Sequence, residues 1–407
     1  MDSTMLRTTV CIAGGGPAGL MLGLLLARRG VEVVVLEKHA DFLRDFRGDT
    51  VHPSTQQVLD ELGLADRFAE LPYQRVDRAE TMIDGRPLTL ADFGALRTPY
   101  PYIAMVPQWD LLNLLAEEAA RYPGFRLLHR AEATGLITSG GRVTGVTVRR
   151  PDQDQPLEVH AALTVAADGR HSTLRRAAEL PSREFGAAFD VLWFRVSRTE
   201  VDQLSALGLR VAKGTAYVVV PRNTYWQVAR IIDKGTAADL LGGDIAALHQ
   251  DFRTAVPELA DRIGEVTGWD RTSVLEVRID RLRRWHRPGL LCLGDAAHAM
   301  SPVGGVGINL AVQDAVAAAN LLTPALLDHQ RTGSPVDDHV LAAVQRRRGW
   351  PTKITQLLQR AVQRFGVERA LRGGLSSSPV PGLLMPPIRR LLSRVIGLGV
   401  RPEHVRH

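Results

Sequence analysis

Cysteine is nearly absent: the 407 residues hold two, Cys11 and Cys292. Each sits inside an apolar run that reads as a buried strand, so no disulfide framework is expected, and a reducing compartment fits. Aromatic residues make up only 5% of the chain, which argues against a binder built on ring stacking. Long hydrophobic runs are missing as well. Leu20–Ala27 falls well short of the ~20 residues that cross a bilayer. The first apolar run, Thr9–Ala13, passes directly into glycines and lacks the pattern of a signal peptide. The expectation is a cytoplasmic protein without stable membrane insertion. No internal repeat or low-complexity tract stands out, and no metal site is expected.

Charge is ample but carries no recognisable nucleic-acid motif. The net charge is +6, and arginines cluster at Arg346, Arg347, Arg348 and at Arg389, Arg390. Without a recognition element this reads as a solvated basic surface that attracts small anions. With 45% hydrophobic residues, the chain can bury a large core in two or three lobes.

What is present begins at the N-terminus. Thr8–Ala13 reads as a buried strand, Gly14–Gly19 as a glycine turn, Leu20–Arg29 as a helix and Val31–Leu36 as a second strand closed by Glu37. Gly14, Gly16 and Gly19 form G-x-G-x-x-G in that context, with the acid about 20 residues on. The first glycine permits the tight turn, the second lets the backbone approach a pyrophosphate, and the third lets helix and strand pack closely. The helix N-terminus adds N–H groups and the positive end of its dipole. Pro17, Ala18 and Lys38 belong to the same expected site. Glu37 would accept from ribose hydroxyls and disfavour a 2′-phosphate, so the bound dinucleotide is FAD or NAD.

Further along, Pro53–Glu70 and Trp109–Tyr122 read as helices and Arg78–Leu90 as a strand pair around Asp84-Gly85. Arg126–Arg150 reads as strands turning at Gly140-Gly141, and Leu157–Ala166 as a strand pair. From about Arg183 to Asp280 the pattern changes to alternating strands (Asp190–Ser197, Ala216–Pro221, Trp226–Ile232, Val274–Ile279) broken by a helix at Ile245–Val256. A helix over Gly307–Leu322 follows, then a Gly/Ser/Pro-rich linker at Gly373–Pro387.

Two more motifs each follow a strand. One is Asp168-Gly169-Arg170-His171-Ser172 with Arg175. The other is Gly294-Asp295-Ala296-Ala297-His298 with Pro302 and Gly304-Gly305-Val306-Gly307-Ile308-Asn309. Together with the fingerprint, in this order, they resemble the FAD-dependent aromatic hydroxylase family typified by para-hydroxybenzoate hydroxylase, over residues 8–325. The resemblance implies an α/β fold: a Rossmann-like FAD-binding domain with an inserted, mostly antiparallel substrate lobe and a helical C-terminus. The boundaries are 1–182 and 281–325 for the FAD-binding domain (with some lobe strands near 75–107), 183–280 for the lobe, and 326–407 for the helical region.

The resemblance also implies residue roles. Asp295 would bond the FAD ribityl chain. Asp168, Gly169 and Arg175 would lie beside the pyrophosphate, with links to FAD and NAD(P)H, and Arg47 beside it too. Gly304, Gly305, Gly307, Ile308 and Asn309 would start a helix under the isoalloxazine, with Pro302 at its reactive edge. Gln108 matches a further cofactor position. Arg47, His52 and Pro302 are the catalytic candidates, while His298 reads as a structural histidine. FAD would be tightly but non-covalently bound, and NADH or NADPH would act as a transient reductant, since no second fingerprint exists. O2 would be the co-substrate, giving a flavin hydroperoxide that hydroxylates an aromatic small molecule.

That substrate would lie between the flavin and the inserted sheet. Trp193, Arg195, Tyr217 and Trp226 are the candidates, with Arg222 and Arg230 beside them, in a pocket expected to be apolar with few charged anchors. Pro387–Arg401 reads as a basic amphipathic helix that packs on the core or caps the pocket, and that leaves peripheral membrane association open. A monomer or homodimer is expected. Rivals on the same scaffold are a saturase and a halogenase, although the halogenase W-x-W-x-I-P motif is absent. A rival of another class is a non-catalytic flavin redox sensor. The disulfide-reductase type would want a C-x-x-C pair, and there is none.

Overall fold

The structure, a computed structural model, describes residues 5–43, 49–83, 86–199, 202, 207–212, 214–364 and 386–406. Arg47, the Asp84-Gly85 turn and the expected linker up to residue 385 lie outside the described residues.

Five parallel strands form the centre of an eight-stranded sheet: Leu290–Cys292, Leu157–Ala166, Met5–Ala13, Val33–Leu36 and Phe125–Leu128, side by side in that order. Their near-continuous apolar sequences suit strands covered on both faces. Register places Ala13 beside both Ala166 and Leu36, and Ala166 beside Cys292. The carboxyl ends of four strands therefore finish in one row. Leu157–Ala166 is a single strand, where the sequence suggested a pair; its first half also holds the hairpin Glu132–Ser139/Arg142–Arg149. Gly140 and Gly141, both at positive φ, make that hairpin's turn.

Helices Pro17–Arg28 and Gly307–Thr332 pack on each other against this sheet. Each leucine they bury contributes about 1.5–3 kcal/mol. The second helix runs past the expected end at Leu322, through Pro324, to a left-handed Gly333. It lies in the one stretch among the described residues, Val303–Thr332, long and apolar enough to cross a membrane; 72% of that stretch's apolar window is buried inside the fold. The helix expected over Pro53–Glu70 is two, Pro53–Glu61 and Ala65–Ala69, broken at Gly63 with φ +75°.

The second sheet has seven strands, ordered Ser273–Leu275, Phe189–Ser197, Tyr225–Asp233, Thr215–Pro221, Leu207–Ala212, Arg78–Ile83 and Arg86–Asp92. One face is covered by the helix Ile245–Ala255, whose Leu248 and Phe252 pack on Phe194, Tyr217, Trp226 and Val228. The other face carries Val191, Trp193, Val218, Ala229 and Ile231, and Val303 of the glycine loop packs against it. The antiparallel pair Ser182–Glu184/Asp280–Leu282 joins the two halves of the molecule.

At the C-terminal side, the Asp338–Val362 helix and the Pro386–Gly397 helix return to the core. Ser393 accepts from the Asp92 N–H, and Ile396 packs beside Phe93 and Met300. The tail beyond is held by Glu403, which pairs with Arg347 and Arg348.

Candidate active site

The three motifs sit at adjacent strand ends and touch one another. Gly14 has φ +109°, and a Cβ there would stand 2.3 Å from the Ala167 carbonyl oxygen. At Gly19 it would meet the Gly14 oxygen at 1.9 Å. Gly294, at φ +56°, faces Ala18 at 3.2 Å and Ala311 at 3.5 Å. These glycines are required by close backbone approach. Gly16 differs: a Cβ there would meet nothing within 4 Å. The space in front of the Pro17–Arg28 helix N-terminus is open, as an incoming pyrophosphate requires. Pro17 takes the first helical position, which has no need of an N–H.

Glu37 ends the second strand, buried. Its two oxygens accept from the Gly15 N–H at 3.1 Å and the His39 N–H at 3.0 Å, which fixes the carboxylate and leaves acceptor capacity for ribose hydroxyls. Lys38 is exposed beside it. Asp168 uses one oxygen to cap the Thr173–Ala177 helix, through the Thr173 and Leu174 N–H groups. Its other oxygen is buried with no partner among the described residues. A buried acceptor left in this way is suited to a ligand hydroxyl.

Arg175 is turned inward, and the structure overturns its expected place beside a nucleotide. It is buried and bonds Asp280, the Arg170 carbonyl and the Ala296 carbonyl. It thereby ties the Asp-Gly turn to the Gly-Asp turn. Asp295 stays partly exposed, 3.4 Å from Arg170. Behind it, Asp314 accepts from His298 at 2.6 Å and Arg348 at 3.0 Å. Burial pushes the Asp314 carboxyl up, but the contacts with His298 and Arg348 outweigh it and hold the carboxyl below its ordinary range.

The loop from Pro302 to Gly307 is shaped by positive φ at Gly304 and Gly305. A Cβ on Gly305 would strike Thr50 Oγ1 at 2.6 Å; the Thr50 hydroxyl donates to the Gly305 carbonyl. The Gly307–Thr332 helix then opens, with Gly307, Ile308 and Asn309 in its first turn. Their N–H groups have no partner within the helix and lie at the positive dipole end. The Asn309 Oδ1 accepts from both Ser54 and Thr55, which fixes the side chain behind the helix start. Asn309 Nδ2 is buried without a partner.

His52 does not face a cavity, contrary to its expected catalytic position. It is fully buried, Nδ1 lies 2.7 Å from the Ile396 carbonyl and Nε2 3.1 Å from the Gly305 carbonyl. It braces the glycine loop against the C-terminal helix. Burial pulls its pKa down to about 4, against those two carbonyls.

A cavity of about 430 Å3 lies between the seven-stranded sheet and the start of the Gln108–Ala119 helix. Pro72, Met105, Pro107, Trp109 and Tyr225 give it apolar walls. It holds more charge than the sequence suggested, for Arg195, Asp110 and the pair Asp49–Arg222 also line it. Arg195 is one of the residues lining it, and Trp193 shares its face of the strand, with Nε1 buried and without a partner among the described residues. Tyr217 and Trp226 are not. Strand alternation turns them to the opposite face, fully buried under the Ile245–Ala255 helix. Arg230 goes with them and pairs with Asp251.

The sequence reading missed Asp49. Arg222 meets it at 2.5 Å, and the Gln108 N–H donates to its other oxygen at 3.1 Å. Burial pushes the Asp49 carboxyl up to about 6, against the pull of Arg222 and Gln108. No local motif marks the residue; its partner is 173 positions away.

Among known proteins, a family model for the FAD binding domain matches residues 7–355. The chain belongs to the FAD-dependent aromatic hydroxylase family. It is a flavin-dependent monooxygenase by that membership. It is 35% identical over 324 residues to 6-methylpretetramide 4-monooxygenase of Streptomyces rimosus, spanning 79% of this chain and 76% of that one. It is 30% identical to the 12-dehydrotetracycline 5-monooxygenase/anhydrotetracycline 6-monooxygenase of the same species, spanning 76% of this chain and 61% of that one. Among solved structures, the OxyS anhydrotetracycline hydroxylase of S. rimosus superposes with TM-score 0.73 at 25% identity, covering 97% of this chain and 77% of that one. A flavin-dependent brominase, Bmp2, reaches TM-score 0.76 at 16% identity, covering 96% and 93%. The architecture is therefore shared by more than one chemistry, and the choice between them rests on the site.

Proposed function

We propose that this enzyme inserts one atom of O2 into an aromatic, polycyclic small molecule of the polyketide kind, using NADH or NADPH to reduce its FAD. The observation that carries the reading is the cavity between the seven-stranded sheet and the start of the Gln108–Ala119 helix, with a carboxyl of raised pKa in its wall. Asp49 belongs to that wall, and its neighbour Thr50 bonds Gly305. The volume suits a small polycycle. The named substrates of the similar S. rimosus enzymes, pretetramide and tetracycline compounds, are of that class.

The chain's own part is binding, orientation and proton handling. Gly16 and the Pro17–Arg28 N-terminus would take the pyrophosphate, and Glu37 the adenosine ribose. The free oxygen of Asp168 and the Asp295 carboxylate would take hydroxyls of the cofactor chain. The N–H groups of Gly307, Ile308 and Asn309 would face the flavin pyrimidine edge and favour negative charge there. FAD, when bound, supplies the activation of O2. Trp109, Met105 and Pro72 exclude water. Asp49, ionised, would accept a phenolic proton at a carboxylate oxygen, and Arg222 would hold that carboxylate in place. Trp193 and Arg195 would position the substrate.

The test is NADH and NADPH oxidation with oxygen uptake, across phenols, quinones and polycyclic polyketides. Substrate-stimulated oxidation with stoichiometric oxygen uptake supports the reading. Turnover without oxygen uptake would favour a saturase, and bound FAD with no turnover on any substrate a redox sensor.

A further inference from the structure

A second cleft, of about 670 Å3, lies between the Asp338–Val362 helix and the pair Ser182–Glu184/Asp280–Leu282. Five cations line it: Arg183, Arg281, Arg283, Arg346 and Lys353. No carboxylate lines it, and none of the five has an ion pair among the described residues. The buried arginines among the described residues are neutralised: Arg175 by Asp280, Arg210 by Glu258, Arg222 by Asp49, Arg348 by Asp314 and Glu403.

The arrangement works against folding. Arg183 and Arg281 are direct cross-strand partners in an antiparallel ladder, where like charges are destabilising. Arg360 adds a third guanidinium. The three stand 5.3, 4.9 and 5.1 Å from the Phe185 ring centre, crowded around one ring. Burial, then Arg183 and Arg360, hold the Arg281 guanidinium below its ordinary range. Phe185 stabilises the cations by cation–π attraction but neutralises none of them. Converging positive charge without a counter-charge fits a ligand that brings several negative ones. Trp350 stands at the lining, 47% exposed, and offers a ring plane beside the charges. The cations sit in a concavity between two elements.

We infer that this cleft binds a nucleotide, its phosphates held by Arg183, Arg281, Arg346 and Lys353 and its base laid against Trp350. The inference stands on this cleft; its assignment to the reductant rests on the monooxygenase reading, and its assignment to a separate nucleotide goes beyond it. The nucleotide is either the nicotinamide reductant or a separate adenine nucleotide, and one experiment separates these sources.

Calorimetric titration of the FAD-loaded enzyme with NADP+, ATP and inorganic pyrophosphate is the test. Saturable, salt-sensitive binding is expected, weakened about tenfold or more by Arg346→Ala/Lys353→Ala, both surface positions. Nucleotide should also quench tryptophan fluorescence, and Trp350→Phe should remove that quenching. Arg183→Ser should weaken binding yet raise the melting temperature of the ligand-free enzyme, since it removes a like-charge pair. Preference for NADP+, with a raised KM for NADPH and unchanged kcat in the double variant, assigns the cleft to the reductant. Preference for ATP with unchanged NADPH kinetics assigns it to a separate nucleotide. No binding of any of the three probes, or binding indifferent to these substitutions, overturns the inference. So does a double variant that loses only its binding to anionic lipid vesicles. A failed monooxygenase reading would show as absent oxygen uptake, and would leave this titration unaffected.

Discussion

The two large sheets supply the site by different means. At the carboxyl ends of the parallel strands the parts proposed to hold the cofactor are mainly backbone, turns and helix N-termini, with Glu37, Asp168 and Asp295 as the side chains among them. On the seven-stranded sheet they are side chains on one face, in reach of the cavity only because of strand parity and of which face the Ile245–Ala255 helix covers. A backbone site dictates its residues, because Gly14 and Gly19 admit no Cβ. A side-chain face does not, because Tyr217 and Arg195 are equally acceptable strand residues whichever way they point.

The sharpest way to break this comparison is at the glycines. Gly19→Ala places a Cβ 1.9 Å from the Gly14 oxygen and should cost about 3 kcal/mol or more of stability along with FAD. Gly16→Ala meets open space. It should keep the melting temperature of the apoprotein while weakening FAD binding about tenfold or more. Thermal melts with and without added FAD separate the two. Equal loss of apoprotein stability in both variants would mean that Gly16 is packing, not ligand space.

Next in size is the Asp49–Arg222 pair. Arg222→Ala leaves a buried carboxylate without its cation and should cost about 3–5 kcal/mol, read by denaturant unfolding. Asp49→Asn removes the acid and should cost less stability but more rate. For pH, the carboxyl serves as a base only when ionised. With its pKa raised to about 6, kcat/KM should rise through pH 6 and fall away below it. In Asp49→Asn that acid limb should vanish. An unchanged limb would move the proton acceptor elsewhere.

The smallest effects belong to the covered face. The Tyr217 hydroxyl is buried without a partner, so Tyr217→Phe should change stability by less than about 1 kcal/mol and leave KM for the aromatic substrate alone. Arg195→Ala, on the open face, should raise that KM with little change in stability. If the two behave alike, the cavity lies on the other side of the sheet.

These contrasts explain what could be read in the chain beforehand. The Gly14–Glu37 unit was legible because turn, helix start and acid are local and stereochemically forced. So was the alternating character of Asp190–Ser197, but alternation gives two faces and not which one is covered, which is why Tyr217 and Trp226 were misassigned. Arg175 lay in a motif associated with cofactor, and only the fold shows Asp280 waiting for it 105 residues away. His52 tempted a catalytic role, and the Ile396 carbonyl that occupies it comes from 344 residues further on. Asp49 has no signal in the sequence, because its meaning is made by burial and by Arg222. The extension of the Gly307–Thr332 helix past Pro324 reflects tertiary packing that outweighs the lost backbone bond.

The most direct test of the central claim is turnover under isotopically heavy dioxygen, with an aromatic polyketide that stimulates NAD(P)H oxidation. The account predicts one heavy oxygen atom in each product molecule, and none when the label is in water. A product whose new oxygen comes from water, or oxygen uptake recovered entirely as hydrogen peroxide with no labelled product from any substrate, would contradict it.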